Sequence, residues 1–395
     1  MDIPDLLQPI DAGRLMPAKL SHPLILGRHI RIHSQDEGFP LLENAGLAII
    51  GVEEDRNAPG NEGCALAPDY VRKYLYRLFQ GSSKTQIADL GNIRAGDRVT
   101  DTYFALKTVV STLLEKNILP VIIGGSQDLT YANYQAYESL GQIINIVSVD
   151  SGFDIGLKKE EDITHRNYLS KILTQKPNYL FNYTNIGYQT YFVDQDAIEL
   201  MDKLYFDATR LGGVRQNLAG TEPVVRNADL LSFDISAIRQ SDAPANPNAS
   251  PNGFYGEEAC QIVRYAGLSD KLSSIGFYEL NPAFDNGEQT AHLVAQMIWY
   301  FIDGFARRRN DFPDKHIKDS SDFIKYVVSI REFQNKINFY KSKKSDRWWM
   351  EVPCPPSLQM KYDRHFLVPC SYSDYQEACQ NEIPEKWWQV YQKFV

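Results

Sequence analysis

Histidine is the first shortage: seven residues in a chain of 395, none of them in the polar clusters that close the apolar runs described below. The amino-terminal trio His22, His29 and His33 has the wrong spacing for a rigid metal site and precedes the core. Basic residues are outnumbered, 41 Lys and Arg against 50 Asp and Glu, for a net charge of -9. A nucleic-acid surface needs a concentrated basic field, so that class of function is excluded. The single basic run, Lys341-Ser342-Lys343-Lys344, reads as a solvated turn.

Cysteine is sparse and unpatterned. Cys64, Cys260, Cys354, Cys370 and Cys379 are odd in number and contain no Cys-x-x-Cys, which excludes a disulfide framework or structural zinc site and fits reduced thiols in a cytoplasm. Long apolar runs are missing too: His292 to Phe305 is too short to span a bilayer and contains Gln296 and Asp303. The start, Met1-Asp2-Ile3-Pro4-Asp5, lacks the basic and apolar regions of a signal peptide, so the expected location is cytoplasmic.

What is present is an alternation of short apolar runs with helical patterns. Gly46–Val52, Leu119–Ile123, Ile143–Val149, Leu230–Phe233 and Leu272–Phe277 are predicted strands, and their continuous apolarity means both faces are covered. Leu106, Val109, Val110, Leu113 and Leu114 form one helical stripe. Pro68 marks a first helical turn, and a helix from Gly256 is predicted to stop at Gly267. Such alternation predicts an α/β fold, a parallel sheet with helices on both sides, whose ligands bind beyond the carboxyl ends of the strands. Residues 1–45 and 311–395 fall outside the pattern and are expected to be extensions of a 46–310 domain. The second is rich in aromatics, with Trp348, Trp349, Trp387 and Trp388 and a predicted hairpin at 337–352. Those rings are expected to pack on or beside the core, or to offer a protein partner a face.

Three predicted strands end in polar clusters: Gly124-Gly125-Ser126-Gln127-Asp128, Asp150-Ser151-Gly152-Phe153-Asp154 and Asp234-Ile235-Ser236. An isolated one is an ordinary turn; three at one sheet edge make a site. In order and spacing they resemble the motifs of the ureohydrolase superfamily (arginase, agmatinase, formimidoylglutamase): Gly-Gly-Asp-His-Ser, Asp-x-His-x-Asp and Ser-Phe-Asp-x-Asp. Further resemblance lies at Gly63–Arg72, Asp89-Leu90-Gly91, Ser250-Pro251-Asn252-Gly253-Phe254 and Tyr278-Glu279-Leu280-Asn281-Pro282. It covers roughly residues 46–310, is nearest the formimidoylglutamase branch, and implies a three-layer arginase-like fold.

The resemblance also implies a centre in which six side chains hold two manganese ions and the hydroxide they share. Of the matching positions, Asp150, Asp154 and Asp234 keep their carboxylates; Gln127 and Gly152 replace the two histidines and Ser236 replaces an aspartate. Gln127, Asp150, Asp154 and Asp234 could hold one divalent cation such as magnesium, calcium or manganese, since an amide oxygen suits a hard ion. Glycine and serine cannot complete a second site, so a two-manganese centre is not expected. Three converging carboxylates repel, by about 4 kcal/mol for a pair about 4 Å apart at an effective dielectric of about 20. A cation, a shared proton or a basic side chain such as Arg239 must offset this. By resemblance Glu279 would bind a cationic amidine, against an ordinary surface carboxylate. His165 would shuttle protons, although an ordinary solvated histidine is the simpler expectation.

The resulting expectation is a non-catalytic ureohydrolase-like protein, a pseudoenzyme acting as a binding or scaffold protein, with a partner at the aromatic extension and homo-oligomerisation left open. Two alternatives stand beside it: a single-metal hydrolase of C–N bonds in linear amidines, and a small-molecule sensor using the old pocket.

Overall fold

The computed structural model describes residues 3–15, 22–156, 162–313, 317, 320–330 and 336–395. Nine strands form one sheet: β1 (Ile30–Ile32), β2 (Leu47–Glu53), β3 (Ile87–Arg94), β4 (Leu119–Ile123), β5 (Ile144–Val149), β6 (Leu180–Tyr188), β7 (Asp207–Arg210), β8 (Leu230–Asp234) and β9 (Ser274–Tyr278). Their order is β1-β3-β2-β4-β9-β8-β5-β6-β7, and every pairing is parallel. The five strands predicted from continuous apolar runs are β2, β4, β5, β8 and β9, all central in this order. Burial on both faces explains why they lack alternation.

The amino-terminal extension is less separate than expected. It contributes β1, which pairs with β3 at the edge of the sheet, and its Leu7 and Ile10 are buried. Pro68 does open a helix, Ala67–Leu75, and the stripe from Leu106 to Leu114 lies on the helix Val99–Glu115. Gly267 is not a helix stop, because that helix runs Gly256–Leu268. The glycine instead permits close packing against the helix Gln289–Phe305: a Cβ there would meet Phe301 O at 2.3 Å.

Beyond the sheet, the chain builds a second, antiparallel sheet in the order β10-β11-β12-β13, from β10 (Phe323–Ser329), β11 (Lys336–Ser342), β12 (Trp348–Glu351) and β13 (Leu367–Cys370). β11 and β12 form the predicted hairpin, with Tyr340 opposite Trp349. This sheet and Trp387 enclose an apolar cluster that includes Phe181 of β6. Its polar attachments reach the core just before β5, β8 and β9. Arg364 donates to Asp229 at 2.8 Å, Lys271 donates to Arg364 O at 3.3 Å, and the His365 ring meets Ile143 O at 3.1 Å. The extension therefore docks at the amino ends of the strands, opposite the polar clusters. Trp348, Trp349 and Trp387 are buried in it, and only Trp388 of the four is substantially exposed. Among the described residues, no helix is long and apolar enough to cross a membrane, and none of the five cysteines is in a disulfide.

Candidate functional site

At the carboxyl end of β4, Gly124 and Gly125 let the chain turn under its neighbours. A Cβ on Gly125 would come within 2.1 Å of Glu54 O, and one on Gly124 within 2.5 Å of the Tyr278 ring. This fixes Gln127, whose backbone N–H donates to Glu279 Oε1 at 2.8 Å. At the end of β5, Asp150 accepts from Gly152 N at 2.9 Å, and Gly152 O is held by Asn185 Nδ2 of β6 at 2.6 Å. At the end of β8, Asp234 turns back to accept from Ser236 N at 2.6 Å. The three clusters thus meet at one edge, as the parallel order of β4, β9, β8 and β5 requires.

There they line a cavity of about 420 Å³ with Asp150, Asp154, His165, Asp234, Ser236 and Glu279 among its walls. Glu279 is buried, not a surface carboxylate. Its Oε2 accepts from Asn61 Nδ2 at 2.8 Å and lies 3.1 Å from His165 Nδ1. Its backbone is held at φ 70° by its N–H to Gly125 O and by Asn61 and Asn246 donating to its carbonyl. A non-glycine residue in that region is strained, and persists where its surroundings over-determine it. Asp154, at φ 52°, is the second such residue of the site. His165 is likewise buried, which departs from the expectation of a solvated ring, and its backbone N–H donates to Asn57 O at 2.9 Å. Asn57 is anchored in turn by Asp128, which also accepts from Tyr103 and Ser126.

Electrostatically the cavity is one-sided. Burial, then the charge of Asp150, pushes Asp154 well above the usual carboxylate range. Burial, then Asp150 and Glu279, does the same to Asp234. Burial also raises Asp150, against the Gly152 N–H that donates to it. Burial and mutual repulsion thus favour the protonated form of these carboxyls, and Asp150 Oδ2 and Asp154 Oδ2 have no hydrogen-bond partner among the described residues. Arg239 does not provide relief: it pairs with Asp242 at 2.8 Å and lies over the Tyr255 ring. Among the described residues no lysine or arginine pairs with any of the three aspartates. Arg166 lines the cavity but donates to Asn248.

The donor set does not fit a manganese pair. Gln127, expected to offer an amide oxygen, points its amide nitrogen toward Ser148 and Ser232 at 3.5 and 3.4 Å. A Cβ on Gly152 would have nothing within 4 Å, and glycine has no side chain to offer a metal. Ser236 engages Asp234 through its backbone. Among the described residues, no three His, Cys, Asp or Glu side chains are arranged to hold a metal ion.

Sequence reasoning missed the asparagines. Asn57, Asn61, Asn185 and Asn246 hold the site's loops, yet their partners are distant in sequence, as with Asn61 and Glu279. No local spacing could have revealed them.

A parallel nine-stranded sheet with its polar clusters at the carboxyl edge is the architecture of an arginase-like ureohydrolase. The Arginase family model matches residues 45–303, and the chain belongs to that family. It is 25% identical over 293 residues to the formimidoylglutamase of Staphylococcus haemolyticus, spanning 68% of this chain and 92% of that protein. Among solved structures, the formimidoylglutamase of Bacillus subtilis superposes with a TM-score of 0.64 at 19% identity, over 71% of this chain and 92% of that one. The manganese-bearing formiminoglutamase of Trypanosoma cruzi gives 0.62 at 21%, over 68% and 96%. These relatives and structures, to which the chain is similar, are formimidoylglutamases.

Proposed function

We propose that this chain is a non-hydrolytic member of the formimidoylglutamase-like branch, a binding protein that keeps the pocket and has lost the metal pair. The observation that carries the reading is the open space at Gly152 beside a serine at position 236. A bridging hydroxide needs two ions, and neither residue can supply what imidazole and carboxylate supplied. The retained Glu279–His165 pair supports ligand binding, since both groups are buried and held in place. A protein partner at the carboxyl-terminal extension belongs to the same proposal, on the narrower ground of exposed Trp388 and Tyr372. The test is turnover of N-formimino-glutamate and related amidines by the full chain under saturating manganese. The expected result is no ammonia, formamide or urea above a Glu279→Ala control; release above that control rejects the proposal.

A second reading, hydrolysis with one cation, has one observation in its favour: Asp150 Oδ2 and Asp154 Oδ2 are buried without a hydrogen-bond partner. Asp150, Asp154, Asp234 and Gln127 would then hold the ion. A rise in melting temperature with manganese, magnesium or calcium, together with metal-dependent turnover, would favour it, because a ligand of the native state stabilises that state.

A further inference from the structure

Core and carboxyl-terminal extension meet around one lysine. Lys393 follows the helix Glu385–Gln392 and reaches β6, where its Nζ donates to Phe181 O at 3.4 Å and to Asn182 Oδ1. Nζ lies 4.9 Å from the centroid of the Phe206 ring and 5.4 Å from that of Phe181. Among the described residues its hydrogen-bond partners are these two neutral oxygens. Asp207 acts on it only through its charge, and that carboxylate already accepts from Asn182 Nδ2 at 2.7 Å and Thr184 Oγ1 at 3.2 Å. An ammonium has three N–H donors, so one is left over. Burial draws this amine down to about 8, against the pull of Asp207. Lys271 is drawn down as far but keeps Asp229 at 3.6 Å, so an unpaired lysine is not the habit of this chain.

Beside Lys393 runs a cleft of about 340 Å³, walled by Leu180, Phe181, Phe206 and Tyr362 and by a second cation, Lys361. Its wall is continuous: Lys393 meets Phe181, the Phe181 and Tyr362 ring centroids are 5.3 Å apart, and Lys361 Nζ is 4.9 Å from the Tyr362 centroid. No Asp or Glu lines it, although the chain carries a net charge of -9. Such a cleft is a local exception to a field that repels anions. We infer that it binds a small aromatic carboxylate, with the anionic end on Lys393 and the ring against Phe181, Phe206 and Tyr362. One spare donor suits a singly charged group, and tilted rings suit an aromatic guest. The volume is at the small end of ligand clefts, about 300–1,000 Å³. The cleft lies by the amino ends of β5 and β6, where Ile143 and Leu180 line it, and is independent of the fate of the metal pair.

The test uses the full chain, thermal shift and calorimetry, with phenylacetate as the probe. At millimolar concentration it is expected to raise the melting temperature by about 1 °C or more, as a ligand above its Kd does. Acetate lacks the ring, benzyl alcohol lacks the charge and benzylammonium reverses it; these and inorganic phosphate should give no shift. Affinity should fall about tenfold from about pH 7 to about pH 9, as Lys393 loses its proton. The other titratable groups lining the clefts on either side of it are Asp207, Glu385, Lys386, Lys361 and Tyr362. Lys393→Met should weaken binding at least about tenfold and abolish the pH dependence, and Lys361→Ala should weaken it about threefold. Circular dichroism checks that both fold; if the first does not, the exposed Lys361 and the pH profile decide. No shift with phenylacetate, an equal shift with benzyl alcohol or benzylammonium, tighter binding of phosphate, or an affinity indifferent to pH and to both substitutions would each overturn the inference.

Discussion

The two ends of β8 carry buried carboxylates treated in opposite ways. Asp229, just before the strand, is fully buried, yet Lys271 lies 3.6 Å away and Arg364 donates to it at 2.8 Å. Against burial, which raises it, those two cations hold its carboxyl below the usual range. Asp234, which ends the strand, has no such partner among the described residues, and burial with the nearby Asp150 carries it well above that range. Where this chain needs a structural charge it provides counter-ions, even at the cost of a lysine drawn down to about 8 by burial. At the other end no described lysine or arginine pairs with Asp150, Asp154 or Asp234, and burying charge without such pairing is costly.

The largest expected effect lies at the paired end. Asp229→Asn leaves the buried Lys271 and the part-exposed Arg364 without their anion, and should cost about 3 kcal/mol, as breaking a buried pair does. Urea melts would show it; a loss below about 1 kcal/mol would break the contrast.

At the unpaired end the sign reverses. A raised carboxyl pKa favours the fold below the unfolded value near 4, and that contribution is lost as pH rises through the folded value. Asp154→Asn should then raise the melting temperature in EDTA by about 2–4 °C at neutral pH, the effect of about 1 kcal/mol in a large domain. The gain should shrink toward pH 4. A fall in melting temperature instead would mean that the ionised Asp154 is answered by a partner within the chain.

The smallest effect is at Arg239, which serves Asp242 and Tyr255 and not the cavity. Arg239→Ala should cost about 1 kcal/mol or less, as part-exposed pairs do, and should leave the Asp154→Asn gain unchanged. A changed gain would show that the guanidinium reaches the site.

How much of this was legible follows the same physical divide. The central strands β2, β4, β5, β8 and β9 are apolar throughout and announced themselves. β3 and β6 did not. Asp89 and Asn92 of β3 serve the buried Arg72, and Asn182, Thr184 and Asn185 of β6 serve partners elsewhere, so polar residues interrupt both runs. β1 and β7 are short edge strands with little to bury. The polar clusters could be read because each directly follows an apolar run. The burial of His165 and the asparagine clamps could not, because they depend on which loops the fold brings together.

Anomalous diffraction at the manganese edge, from crystals grown in manganese chloride, tests the central claim most directly. The account predicts no pair of peaks among Asp150, Asp154 and Asp234. Two manganese ions about 3.5–4 Å apart, the spacing of a two-metal centre, would contradict it.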